Sequence, residues 1–169
     1  MSGPEYTKDT KDTEKAREAK AAELKALQAA LSAEHAVVYG YGVVGGKIDE
    51  ARSTEARAGY DAHRARRDEL ARAVRDLGGQ PEASAAAYAL PFEVKDSGAA
   101  VRLAAELEER VAGVYSDLVR ASTGDRRRTA AEALREAAVR AVRWSGESVA
   151  FPGLAERAAT TSTSAPSPT

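Results

Sequence analysis

Glu34, His63 and Arg67 stand where a helical pattern asks for apolar side chains, so they are the residues through which this chain could do chemistry. Glu34 lies on a stripe stepping by three and four: Leu24, Leu27, Leu31, Glu34, Val38, Tyr41 and Gly45. His63 and Arg67 lie on a second: Ala56, Tyr60, His63, Arg67, Leu70, Val74 and Leu77. A buried charge without a partner costs several kcal/mol, roughly, so one acid and two cations on adjacent helices are expected to satisfy one another. Two readings follow. One is a charge-paired network that fixes helix register, or a stripe edge where long side chains reach water. The other is an interior ligand or proton-transfer site built on Glu34 and His63, to which Tyr39, Tyr41 or Tyr60 would add hydroxyls.

Metal chemistry is testable on spacing. A dinuclear carboxylate site inside four helices takes a Glu from each of two helices and a Glu-x-x-His pair from each of the others. Three residues before His35 and His63 stand Ser32 and Tyr60. Glu132 and Glu136 are followed three later by Arg135 and Val139, and Glu106 by Glu109. The chain has no Glu-x-x-His, and Arg67, one turn from His63, would repel a cation. No metal, no cofactor and no catalytic residue is therefore assigned. Cysteine is absent, which removes thiolate ligands, a thiol nucleophile and disulfides. His35, on the flank beside Glu34, reads as a partly buried packing residue.

Other features are weaker. Gly40, Gly42, Gly45 and Gly46 resemble a phosphate-binding loop superficially, but no strand precedes them. Gly42 and Gly46 instead suggest a close contact with another helix or a second subunit. The runs Arg126-Arg127-Arg128 and Arg64, Arg66, Arg67 have acids nearby in Asp61, Asp68 and Glu69 and read as solvated faces. With 25 basic and 26 acidic residues the net charge is −1, which offers no footprint for nucleic acid or an anionic membrane. Trp144, Phe151 and Phe92 are expected to plug the ends of a core.

The elements that must position these residues are helices. Leu, Ile, Val and Phe supply 27 of 169 residues, about 16%, low enough to raise the question of disorder. The 38 alanines answer it, because alanine has the best helix propensity and lets helix axes approach closely. Periodic segments run from about Thr13 to Gly46 and from about Ser53 to Leu77, the second stopped by Gly78-Gly79 and Pro81. A third, opened by Asp96-Ser97, carries Ala100, Ala104, Leu107, Val111, Val114 and Leu118. A fourth, from Asp125, carries Ala130, Leu134, Ala137, Ala141 and Trp144. Residues 1–12 are expected as a disordered segment, 13–157 as a bundle, and 158–169 as a disordered Ser/Thr/Pro-rich tail. The N-terminus has no secretory signal and no stretch is long enough to span a membrane, so a cytoplasmic protein is expected.

Four stripes of this spacing fit an all-α, antiparallel four-helix bundle. The second-to-third connection is long and would, as a crossover, set those helices parallel in the ferritin-like manner; a disordered loop with up-down topology is the alternative. At Ala33-Glu34-His35-Ala36-Val37-Val38-Tyr39-Gly40-Tyr41-Gly42 the chain resembles a bacterial, mainly actinobacterial, ferritin-like domain family of unknown function. The resemblance continues at Tyr60-Asp61-Ala62-His63-Arg64-Ala65-Arg66-Arg67-Asp68, at Tyr88-Ala89-Leu90-Pro91-Phe92, at Ala138-Val139-Arg140-Ala141-Val142-Arg143-Trp144 and at Ala150-Phe151-Pro152-Gly153-Leu154. It implies a ferritin-like bundle with the long crossover, and brings no activity or cofactor. Of the wider ferritin-like metal pattern it carries over only Glu34. The expected function is contact with other proteins, with homodimerisation as one form; the alternative is a divergent enzyme or a small-ligand or metal binder around Glu34 and His63.

Overall fold

The computed structural model describes residues 5–147. Those residues form four α-helices and no strand: α1 Glu5–Gly45, α2 Glu50–Asp76, α3 Ser97–Ala121 and α4 Gly124–Ser145. None is long and apolar enough to cross a membrane. Helix α1 packs against α2 and α3, and α3 packs against α4. The expected tail 158–169, residues 1–4 of the expected N-terminal segment, and Phe151 lie outside the described residues.

Helix α1 begins at Glu5, ahead of the Thr13 boundary that the sequence suggested. Opposite charges at three-residue spacing, Lys11 with Glu14 and Glu14 with Arg17, favour helix there, as do Ala16 and Ala19. These first turns are exposed on every side from Thr10 to Ala22. Helix α2 stops where the glycines require. Gly78 takes the left-handed conformation at φ 83, and Gly79 N–H donates to the Val74 carbonyl at 2.9 Å. Asp96 caps α3 by accepting from Ala99 N–H at 2.8 Å. Helix α4 opens after Thr123 without a side-chain cap and ends at Gly146, left-handed at φ 75.

The core is alanine-rich throughout. On α4 the buried face is Ala130, Ala133, Ala137, Ala141 and Trp144, so that helix meets its neighbours mainly through methyl groups. The stripe on α1 runs through Glu34, Val37, Tyr41 and Val44, which turns Val38 and Gly45 off the centre line where spacing had placed them. Trp144 is buried as expected, and Phe92 is half-buried with the Arg102 guanidinium 5.9 Å from its ring centre.

The connection 77–96 lies along α1. Gln28 holds its start, donating to the Gln80 carbonyl at 2.6 Å and accepting from Glu82 N–H at 3.1 Å. His35 Nε2 lies 3.1 Å from the Glu82 carbonyl; an oxygen there can only accept, so that nitrogen carries the proton. Further on, Tyr88 sits against Tyr39 with ring centres 5.7 Å apart, Val94 is buried, and Asp49 N–H donates to Ser97 Oγ at 3.0 Å. The connection therefore tracks from the middle of α1 past its end.

The glycine expectation needs correcting as far as a contact with another helix of the same chain is concerned. Gly42 and Gly45 have no neighbour within 4 Å of an added Cβ, and Gly46 would meet only its own turn. Within the helices the close approaches are at Gly40, where a Cβ would come within 2.5 Å of the Leu107 side chain on α3, and at Gly59, where it would come within 2.5 Å of the Tyr41 ring. Small residues are needed where a large side chain from the facing helix lies flat on the backbone, and spacing alone does not locate that side chain.

Gly59→Ala is expected to destabilise by about 1–3 kcal/mol, since the Tyr41 ring must shift. Gly42→Ala, in open space on a helix, should stabilise by up to about 1 kcal/mol. Urea unfolding of dilute protein measures both, and equal effects at the two sites would contradict the packing.

Candidate functional site

Each helix contributes to one buried cluster. Helix α1 supplies Glu34 and, two turns on, Tyr41; α3 supplies Glu108 and, two turns on, Tyr115; α2 supplies His63; α4 supplies Arg140 and Trp144. Glu34, His63 and Glu108 are all 0% exposed.

His63 bridges the two carboxylates. Its Nδ1 lies 2.7 Å from Glu34 Oε2 and its Nε2 3.0 Å from Glu108 Oε1. A nitrogen facing a carboxylate must carry a proton to bond it, so the ring is an imidazolium donating on both sides. The electrostatic environment agrees. Burial alone would lower the imidazole pKa, but hydrogen bonds and charge from Glu108 and Glu34 outweigh it and raise the value to about 9. For Glu108, burial pushes upward, and His63, Arg140 and Tyr41 together pull the carboxyl below its ordinary range.

The remaining partners complete the shell. Tyr115 donates to Glu34 Oε1 at 2.5 Å and Tyr41 to Glu108 Oε1 at 2.5 Å. Arg140 Nε donates to the same Glu108 oxygen at 2.8 Å, and Trp144 Nε1 donates to the Tyr41 hydroxyl at 2.9 Å. Burial, and then the adjacent carboxylates, raise both tyrosine pKa values, which keeps these hydroxyls protonated as donors. Two carboxylates face one imidazolium and one guanidinium, so the cluster is neutral. One atom is left over: Glu108 Oε2 is buried without a hydrogen-bond partner.

Of the residues singled out by spacing, the structure brings Glu34 and His63 together and leaves Arg67 out. Arg67 is half-buried at the flank of α2 and bonds Asp68 Oδ1 at 2.8 Å. The buried face of α2 passes from His63 to Leu70, and both Arg66 and Arg67 fall to its sides. Arg140, which the spacing argument did not select, is the second cation instead. Tyr41 joins the cluster, whereas Tyr39 packs on the connection and Tyr60 lies under the Arg64 guanidinium at 5.6 Å.

A signal for the missing residues is present in the sequence. Ala30, Glu34, Val37 and Tyr41 recur at one constant offset as Ala104, Glu108, Val111 and Tyr115, all eight buried. The same offset carries Arg66 onto Arg140 and His63 onto Ala137. The pairing is reciprocal, with the Glu of each half bonded by the Tyr of the other. Where one half has His63 the other has a methyl group, and it is Glu108, not Glu34, that keeps an unpartnered oxygen.

The donor set does not fit a dinuclear metal centre. Both His63 nitrogens already bond carboxylates, Glu108 Oε1 takes three protein donors, and the guanidinium of Arg140 lies against that oxygen. No group of three or more His, Cys, Asp or Glu among the described residues is arranged to hold a metal ion. A groove of about 510 Å3 between α2 and α4 includes Tyr115, and a cavity of about 170 Å3 lies between α1, α3 and the connection; neither is lined by Glu34 or His63.

Glu34→Ala would leave His63 Nδ1 and the Tyr115 hydroxyl without their acceptor and should cost about 3–5 kcal/mol, whereas Arg67→Ala should change stability by no more than about 0.5 kcal/mol; denaturant unfolding compares the two. The pH dependence has a definite sign. A histidine raised from 6.5 to about 9 contributes its full stability below pH 6.5 and loses it as pH rises through 9. Unfolding free energy should therefore fall between pH 6.5 and 9, by at most about 1.4 kcal/mol per pH unit for one proton. The depressed Glu108 acts oppositely, adding stability above its ordinary 4.5 that is lost in acid. A flat profile from pH 6.5 to 9 would contradict a buried imidazolium.

Comparison with known proteins follows the same residues. A family model described as "Domain of unknown function (DUF4439)" matches residues 26–156, which span all the clustered groups. A crystal structure described as a conserved hypothetical protein, rv2844, from Mycobacterium tuberculosis is similar at 36% identity and a TM-score of 0.72, covering 73% of this chain and 95% of that one. No curated protein sequence matches. The chain therefore belongs to the DUF4439 domain family.

Proposed function

We propose that the chain is a ferritin-like bundle of antiparallel neighbouring helices whose interior is held by its own cations, and that it acts without catalysis, through contact with other proteins including a second copy of itself. Several contacts support that arrangement. Glu34 meets Tyr115 while Tyr41 meets Glu108, and Gly79 lies at Leu24 while Gly59 lies at Tyr41, the crossed pairs expected of an α1 that runs opposite to both α3 and α2. The connection beside α1 suits the long crossover of that fold.

The observation that carries the functional reading is the saturation of His63. With both ring nitrogens held by carboxylates, the cluster presents no free ring nitrogen as base or ligand. Contact with another chain is favoured by Gly42, Gly45 and Gly46, of which Gly42 and Gly45 lie in the last turn of α1 and weaken it by up to about 1 kcal/mol each relative to alanine. No close approach within the chain compensates for them, and all three are exposed.

Elemental analysis after incubation with Fe(II), Mn(II) and Zn(II), followed by desalting, tests the interior. Less than one equivalent of metal is expected, and stoichiometric retention would overturn the non-metal reading. Sedimentation tests the surface: a dimer that Gly42→Leu dissociates is expected, and a monomer at the highest soluble concentration would remove the self-association.

A further inference from the structure

Ala33 and Ala36, one turn apart on α1, recess the helix surface that looks toward α3, and the connection bridges the hollow without filling it. The resulting pocket is about 170 Å3 and is partly open, with Ala89, Pro91 and Arg110 of its lining exposed. Ala33, Ala36 and Val37 form one wall and Leu107, Val111 and Val114 another, with the segment 88–91 as the third. Hydrogen-bonding side chains in the lining are few and already engaged. Glu106 and Arg110 pair with each other along α3, and the Tyr88 hydroxyl accepts from Ala85 N–H at 2.9 Å.

Such a lining suits a particular occupant. Water needs two to four polar partners and finds few here, while an aliphatic cavity of about 150 Å3 stays dry and binds benzene. A charged or strongly hydrogen-bonding molecule of the same size would lose its hydration without replacement. We propose that this cavity is a binding site for a small neutral apolar molecule, one aromatic ring or an indole in size. It is separate from the Glu34–His63–Glu108 cluster, whose residues do not line it.

Thermal unfolding of the full chain, titrated with benzene, indole and benzoate, reads out binding. Benzene or indole should raise Tm saturably and benzoate should not. Ala36→Leu fills the hollow and should abolish the rise while leaving the Tm of the free protein no lower than native, and Ala33→Leu serves if that variant fails to fold. No saturable response in the native chain, a response undiminished in the filled variant, or an equal response to benzoate would overturn the site. Xenon in pressurised crystals gives an answer independent of any variant: it should lie between Ala36 and Val111, and xenon found solely elsewhere would overturn the proposal.

Discussion

An imidazolium held between two carboxylates, out of reach of water, constrains every helix around it. Removing these charges from solvent costs several kcal/mol per ion, roughly, and the cost is offset only when each is paired and hydrogen-bonded. Glu34 and Glu108 need two positive charges, and His63 supplies one. Arg140 supplies the other from α4, reaching Glu108 with its head while part of its side chain stays near the surface. Tyr115 takes the Glu34 oxygen that His63 leaves, Tyr41 shares Glu108 Oε1 with both cations, and Trp144 in turn satisfies Tyr41. A shift of any helix by one residue would strand a charge.

That constraint matters more here than in a core of large side chains. Leucine and phenylalanine interlock by shape, so their packing selects one register. The buried face of α4 is nearly all alanine, and methyl groups slide past one another with little penalty. Directional hydrogen bonds from a few polar residues provide the register that the alanines do not. In exchange, alanine and glycine allow the close approaches by which Leu107 lies on Gly40 and Tyr41 on Gly59.

The cluster is built from two related halves. Matching Ala, Glu, Val and Tyr positions on α1 and α3 give a reciprocal arrangement in which each Glu is bonded by the Tyr of the other half. His63 sits on one side alone, opposite Ala137, and serves both carboxylates through its two nitrogens. Where a dinuclear carboxylate site among four helices would need ligands from the fourth, this chain has a methyl group and a guanidinium. The family match spans both halves, so the cluster lies within the region that defines the DUF4439 domain.

Composition and periodicity were enough to establish four helices over the described residues, their approximate limits apart from the start of α1, and the places of Glu34 and His63 on otherwise apolar stripes, because these follow from local backbone preference and the 3.6-residue turn. Periodicity could not separate Arg67 from Arg140. Both lie on helix flanks, and only the direction in which a long side chain leaves its helix decides which of them meets a carboxylate. Glu108 was hidden for a related reason: beside Glu106 and Glu109 it looks like part of a solvated acidic run, until the rotation of α3 against α1 turns that one side chain inward. A sequence carries the spacing of charges along a helix, but their pairing depends on distances between helices, which exist only once the four have packed.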